Sequence, residues 1–423
     1  MNSGFWALLP IRKTETDTGT RRSLSLALRA VLDNGETAEA HLGDIALSPG
    51  YREEGTVLTG SLSAGSLPAR PLPGMPRVAI CMATYDPGPE QFSRQIDSIR
   101  QQTYTDWICI INDDCSPPGA FEMIKSVVAN DSRFFVHRNS ANLGYYYNFE
   151  RCLSLVPEGV PLVALSDQDD YWHPDKLEAL LSHMDDETVL VFSDMNIVNT
   201  RGEILSPTYW TDRKNNFREL DLMILANTVT GTSCLFRKGL LRYLLPFHEK
   251  IGDSYHDHFI AIVALALGKV QYVERPLFDY YQHDDNVVGH YTREKFFKSM
   301  QIWHENHPVG SVLERIHSDI GRLKDAIRLY RTIYSIHYTR RALMGAVLEL
   351  RCSTIAGEKK RIIRRFSGLE RSPLGLLVPL MKEVMLRRNA VTFGIARLLL
   401  KSYGSYKAVN IYHKLKRKAF KAS

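Results

Sequence analysis

RVAICMATYDPGPEQFSRQIDSIRQQTYTDWICIINDDCS, Arg77 to Ser116, is the stretch on which the reading of the fold turns. Val78 to Met82 is a fully apolar run of strand length. A turn follows at Tyr85-Asp86-Pro87-Gly88, and Pro89 to about Gln102 carries a helical pattern. Trp107 to Ile111 is a second apolar run, closed by Asn112-Asp113-Asp114-Cys115-Ser116. A strand with no polar face is one covered on both sides. Two of them separated by an amphipathic helix make a βαβ unit.

The pattern continues outward. A further helix runs through Val128, Phe134 to His137 reads as a third strand, and Phe149 to Leu155 belongs to a third helix. Leu162 to Leu165 reads as a fourth strand, ending in Ser166-Asp167-Gln168-Asp169-Asp170. This predicts an α/β fold class with a mostly parallel sheet and flanking helices. In such sheets ligands bind beyond the carboxyl ends of the strands. Thr84, the pair Asp113 and Asp114, and the trio Asp167, Asp169 and Asp170 stand at three such ends.

Toward the amino terminus, Ser61 to Pro76 concentrates Ser, Gly and Pro and reads as a linker. Before it, Arg22 to Leu32 reads as a strand or a short helix, and the stretch to Gly60 favours small strands. Toward the carboxyl terminus the chain becomes basic and helical from Tyr291. The expected division is an accessory β-rich segment with linker (1–76), a sheet domain (77–290) and a basic helical region (291–423).

Composition supports a globular chain. Of 423 residues, 44% are hydrophobic and 24% charged, which argues against wholesale disorder, a collagen-like repeat or a rod. The net charge of +6 conceals an imbalance: from Tyr291 onward there are 28 Lys and Arg against 9 Asp and Glu. The six cysteines show no CxxC or paired spacing and read as reduced thiols. No apolar stretch reaches the length of a membrane span, and the first apolar run precedes its basic residues, the wrong order for a secretory signal. The expected location is cytoplasmic, with the inner face of the plasma membrane as a peripheral contact.

Three carboxylates within four positions repel one another unless a cation intervenes, and oxygen-only ligands suit Mg²⁺ or Mn²⁺ held together with diphosphate oxygens. A solvated acidic turn is the competing reading. The first strand leads into no GxGxxG, no GxxxxGK[ST] and no GxGTRL-like loop. A Rossmann dinucleotide site, a P-loop and a nucleotidylyltransferase are therefore disfavoured. Transfer from a nucleotide-diphospho donor remains.

The Arg77–Ser116 stretch resembles the opening of family 2 glycosyltransferases of the GT-A fold. The resemblance continues through ANLGYYYNFERCL, SDQDDYW, TGTSCLFRK and QHDDNVVG, covering roughly Arg77 to Gly289. The SDQDDYW, HD and QH motifs are nearest the rhamnosyltransferase-like branch. By this resemblance Thr84, Tyr85, Asp113 and Asp114 would hold a uridine- or thymidine-type base and ribose, with Asn142 and Gly144 approaching the nucleotide. Asp167 and Asp169 would form the DxD signature. Asp169 would be the metal ligand, with Asp170 in support and His283 completing the shell. Asp257, at the start of an apolar helix, matches the position of the catalytic base. Trp210, Asn227, Thr230, Gly231 and His256 would lie on the acceptor side, and the absence of the family's common ED form leaves His256 in contention with Asp257.

The resemblance implies an inverting transferase using Mg²⁺ or Mn²⁺. The sugar would pass from a UDP- or dTDP-type donor, dTDP-rhamnose being one, to a glycan or lipid-linked acceptor in surface polysaccharide synthesis. A noncatalytic glycan-binding module and a membrane scaffold are the readings from other classes. The basic tail suits an anionic membrane surface or packs on the acidic sheet domain. No nucleic-acid motif accompanies it, and no nucleic-acid partner is expected.

Overall fold

The computed structural model describes residues 22–31, 37–47, 76–211, 215–252, 254–282, 334–352, 355–369, 372–382 and 390–422. The chain forms two compact units, Met1–Ser61 and Leu62–Ser423. In the first, β1 (Arg22–Val31) pairs antiparallel with β2 (Thr37–Leu47), with an irregularity between Leu26 and Ala27. Of the segment expected to be a strand or a short helix, Arg22–Val31 is thus a strand. The proposed linker lies outside the described residues apart from Pro76.

The second unit is built on a nine-stranded sheet. Its first part alternates strand and helix: β3 (Val78–Thr84), α1 (Pro89–Arg100), β4 (Trp107–Asp113), α2 (Pro118–Val128), β5 (Phe134–Arg138), α3 (Tyr145–Ser154) and β6 (Leu162–Ser166). Strands β5, β4, β3 and β6 are neighbours in that order and all parallel. Helix α1 shows why the local sequence folds so. Pro89 opens it at the first turn, and Phe92, Ile96 and Ile99, spaced four and three apart, form one buried stripe. That stripe packs in a common core with Val78, Ile80, Trp107 and Ile111. Burying each such side chain contributes roughly 1.5–3 kcal/mol.

Beyond β6 the sheet becomes mixed. The chain continues through β7 (Tyr171–Trp172), α4 (Lys176–Ser182), β8 (Thr188–Val198), β9 (Ile204–Ser206), α5 (Leu220–Leu225), β10 (Cys234–Arg237), α6 (Leu241–Leu244), α7 (His256–Leu267) and β11 (Lys269–Tyr281). Strand β10 lies between β6 and β8 and is antiparallel to both, while β11 runs parallel to β8. Helix α7 is apolar on nearly every face and almost wholly buried, so His256 and His258 in its first turn are held away from bulk water.

The described residues of the carboxyl-terminal region form a π turn (Tyr334–Tyr338), α8 (Thr339–Arg351), α9 (Gly357–Ser367), α10 (Leu374–Lys382) and α11 (Ala390–Ala422). It packs on the sheet domain through its basic side chains. Arg341 Nε donates to Leu225 O, Arg351 Nη1 to Leu244 O, and Lys359 Nζ to Gly268 O. Tyr334 stacks on Tyr406 with centroids 3.8 Å apart. All six cysteines are free, and five are buried.

Candidate active site

Pairing register brings the strand ends together. Thr84 at the end of β3 is paired with Asp113 at the end of β4, and Met82 with Ser166 at the end of β6. A cavity of about 1290 Å³ opens over this edge, room for a nucleotide sugar and more. Thr84, Tyr85, Asp114, Asn142, Gly144, Asp167, Asp169, Asn227, Thr230, Gly231, His256 and Asp257 all line it. Asp113, Asp170 and Trp210 do not; in the last case the neighbouring Tyr209 does. His283 lies outside the described residues.

Asp113 is fully buried and acts within the protein. Its Oδ2 accepts from Ser116 N at 3.0 Å and pairs with Arg138 Nε at 3.5 Å, and its Oδ1 accepts from Thr84 Oγ1 at 3.4 Å. Asp114 organises the next loop: Oδ1 accepts from Asn139 Nδ2 and Leu143 N, and Oδ2 from Gly144 N, each at 2.8 Å. A carboxylate oxygen takes about two such bonds, so Oδ2 retains room for one more donor facing the cavity. Gly144 has φ +78°, which favours glycine, and this bend starts α3.

The acidic turn is anchored from three directions. Gln168 Oε1 accepts from Tyr85 N at 2.9 Å, and its Nε2 donates to Tyr85 O at 3.2 Å. Arg94 Nη2 donates to Asp169 O at 2.5 Å, with the guanidinium 3.4 Å above the Tyr281 ring. Lys176, buried, donates from Nζ to Thr232 O at 2.6 Å and sits 3.7 Å over the Trp172 ring. Burial raises the Asp170 pKa, and the Lys176 charge beside it opposes that rise. Sequence reading found none of these three anchors, because each partner is remote in the chain.

Asp257 lies in the first turn of α7, where its Oδ1 accepts from His258 N at 2.6 Å. Burial pushes its carboxyl up to about 7 against bonds from His258 N, Gly231 N and Asn227 that favour the anion. Asp167 is also pushed up to about 7, by burial first and then by the charges of Asp169 and Asp257. The acidic turn and the α7 carboxylate therefore share one electrostatic environment. His256 stacks on Phe149 at 3.8 Å, and burial lowers its pKa to about 3, so the imidazole is neutral. Gly231 permits this packing: a Cβ there would stand 2.8 Å from His256 Nε2 and 3.7 Å from Asp257 Cβ. Asn227 closes its own turn, with Oδ1 accepting from Val229 N at 3.0 Å.

No group of three or more His, Cys, Asp or Glu side chains among the described residues is arranged to enclose a metal ion. The donor set still fits a cation that takes its remaining ligands from a diphosphate, since Asp167 and Asp169 offer oxygen to the cavity and Asp167 is disfavoured as an anion by its neighbours.

A cleft over the strand ends of a sheet whose first half is parallel and whose remainder is mixed fits the GT-A fold. Residues 79–245 match the family model of glycosyl transferase family 2. The chain is 25% identical over 227 residues to "Uncharacterized glycosyltransferase MJ1057" of Methanocaldococcus jannaschii, spanning 52% of this chain and 77% of that one. It is 30% identical over 134 residues to WcaA of Escherichia coli, named for colanic acid biosynthesis and glycosyl transfer, spanning 31% and 46%. Among solved structures it is distantly similar to S. aureus TarS 1–349 in complex with UDP-GlcNAc, at TM-score 0.43 and 13% identity over 78% of this chain and 92% of that one.

Proposed function

We propose that the chain is an inverting, metal-assisted glycosyltransferase. It moves a hexosyl or deoxyhexosyl group from a UDP- or dTDP-type donor, dTDP-rhamnose among them, to a hydroxyl of a glycan or lipid-linked glycan in surface polysaccharide synthesis. The relative named for colanic acid biosynthesis supports the last element. The observation that carries the reading is the single cavity onto which Asp167, Asp169 and Asp257 all open. In this reading residues 77–290 are the catalytic domain, 1–76 an accessory segment and 291–423 a helical region that completes the cleft.

The base and ribose sit against Thr84, Tyr85, Asp114, Asn142 and Gly144, with Asp113 holding the loop from beneath. Mg²⁺ or Mn²⁺, held by Asp169 and Asp167 with Asp170 in support, would neutralise charge on the diphosphate. Asp257 takes the proton from the acceptor hydroxyl as that oxygen attacks the anomeric carbon. The nucleoside diphosphate departs from the opposite face, and one inversion results. A base is most effective with a pKa near the working pH, which favours Asp257 at about 7 over His256 at about 3. Asn227, Thr230, Gly231 and neutral His256 shape the acceptor side, while Trp210 reaches it only through Tyr209.

Among the described residues no helix is long and apolar enough to cross a membrane. Exposed Leu374, Leu377 and Met381 form one stripe of α10 near the basic helix α9, which supports peripheral contact with an anionic, cytoplasmic membrane face. A panel of nucleotide sugars, assayed for nucleotide release with and without Mn²⁺, tests the central reading. Release from none of them, with any acceptor class, refutes it.

A further inference from the structure

Beneath the Asp114 end of the cavity lies a network of three asparagines. Asn112 stands one residue before the end of β4, Asn139 directly follows β5, and Asn148 sits on α3. Asn112 and Asn148 are 1% and 2% exposed. Asn112 Nδ2 donates to Asn139 Oδ1 at 3.1 Å and to Asn148 Oδ1 at 2.6 Å. Asn139 Nδ2 donates to Asn148 Oδ1 at 3.1 Å and to Asp114 Oδ1 at 2.8 Å. Asn148 Nδ2 donates to Thr84 O at 3.2 Å, the same carbonyl that accepts from Asp114 N at 2.8 Å.

The partners fix which way each amide faces. Asn139 must turn its NH₂ toward Asp114, because an amide oxygen there would face a carboxylate, and its own oxygen then meets the Asn112 NH₂. The network holds that orientation, since reversing any one amide leaves buried donors and acceptors unpaired. Asp114 Oδ1 is thereby filled, by Asn139 Nδ2 and Leu143 N, whereas Oδ2 accepts from Gly144 N and keeps its remaining position. The carboxylate that lines the cavity therefore offers a ligand one acceptor position, not two.

We infer that Asn139, locked by Asn112 and Asn148, is a positioning residue that selects the nucleobase through Asp114, favouring uracil or thymine over guanine. This inference deepens the transfer reading above and rests on its placement of the base at Asp114. Uracil and thymine present a single ring N–H, at N3, which the open position on Oδ2 can take. Guanine presents two neighbouring donors, N1–H and the N2 amine, which suit a carboxylate with both oxygens open. Here the second oxygen is already filled, so one guanine donor would lose its water without gaining a partner.

The test is calorimetry with UDP, dTDP and GDP on the full chain with Mn²⁺. UDP and GDP share the ribose and the diphosphate, so their affinity ratio reports the base, and a general loosening of the site weakens both alike. The parent binds UDP and dTDP about 10-fold tighter than GDP, or more, the worth of one charge-assisted bond. Asn139→Ala frees Oδ1 and lets the carboxylate turn, so the UDP-to-GDP ratio falls about 10-fold. Asn112→Ala, one step back in the network, moves the ratio the same way by less and decides the matter where Asn139→Ala misfolds. An unchanged ratio in Asn139→Ala, or in Asn112→Ala in that case, overturns the inference. Parallel loss of both nucleotides, or a parent that prefers GDP, also overturns it. A parent that binds none of the three overturns it together with the transfer reading. A ratio that shifts as expected in a protein that transfers no sugar leaves the base selector standing and fails the transfer reading alone.

Discussion

Asp257→Asn separates proton transfer from shape. The amide keeps the side chain's size, and its oxygen still accepts from His258 N, bonded to Asp257 at 2.6 Å. It cannot take a proton from the acceptor. A positioned base contributes about 10²–10⁴-fold, so transfer should fall by that factor while donor affinity holds. The rising limb near pH 7 in the parent's kcat/KM, set by the Asp257 carboxyl at about 7, should vanish in the variant. Stability supplies an independent readout. An acid whose pKa rises from 3.8 to about 7 on folding costs nothing below its unfolded value. Stability then falls as pH climbs through that window, by about 4 kcal/mol in all. At pH 5 less than half of that cost has appeared. The variant never bears it, but its NH₂ must face the Gly231 N–H, a loss of about 1–3 kcal/mol at any pH. In EDTA without donor the variant should therefore be about 1–3 kcal/mol more stable than the parent at pH 8 and within about 1 kcal/mol of it at pH 5. The difference between the two pH values, about 2 kcal/mol, does not depend on the hydrogen-bond loss. Thermal and denaturant unfolding at both pH values measure it. A pH-independent stability change, or transfer at the parent rate, refutes the assignment of this carboxyl as the buried base.

Asp169→Ala should abolish Mn²⁺-linked nucleotide binding in calorimetry and, by relieving repulsion on Asp167, lower the pKa of that carboxyl; intact Mn²⁺ linkage would remove Asp169 from the ligand set. Gly231→Ala should displace His256, because the new methyl stands 2.8 Å from Nε2; the expected cost is about 1–3 kcal/mol in unfolding, with a lower kcat, and a wild-type kcat would show that the packing does not position Asp257. Leu377→Glu on α10 should weaken binding to anionic vesicles and leave turnover of a water-soluble acceptor intact; vesicle binding equal to the parent's would count against the peripheral contact.

The first half of the sheet was legible because β3, β4 and β6 are nearly unbroken apolar runs, and strands covered on both faces announce themselves that way. Strand β10 was not read as a strand. Its four residues, Cys234–Arg237, are too few to show a period, and only pairing with Ala164 and Val191 gives them strand form. Strand termini announced Thr84, Asp114, Asp167 and Asp169 by position alone. Asp113 and Asp170 look the same in sequence, yet both are buried beneath the cleft and do not line it. The supports for the acidic turn were invisible for a different reason: Gln168 meets Tyr85 across 83 residues and Arg94 meets Asp169 across 75. For the basic tail, composition left membrane contact and packing on the sheet domain both open; that Arg340 and Arg341 line the cleft depends on tertiary packing, which composition does not carry.

The antiparallel placement of β10 has a consequence for how specificity can change. The acidic turn leaves the carboxyl end of β6, and the Gly231 turn enters the amino end of β10, so both hang from adjacent rungs of one ladder, with Leu235 opposite Ala164. The sheet thus acts as a ruler between the acidic turn and the Gly231 turn, whose N–H bonds the Asp257 carboxyl. Its graduations are coarse, because a one-residue slip moves a strand by about 3.3 Å and turns every side chain to the other face. Sliding the strands therefore gives no intermediate spacing at which transfer survives. If the proposed transfer holds, new acceptors must be accommodated by parts not tied to this ladder, such as the helices after β11.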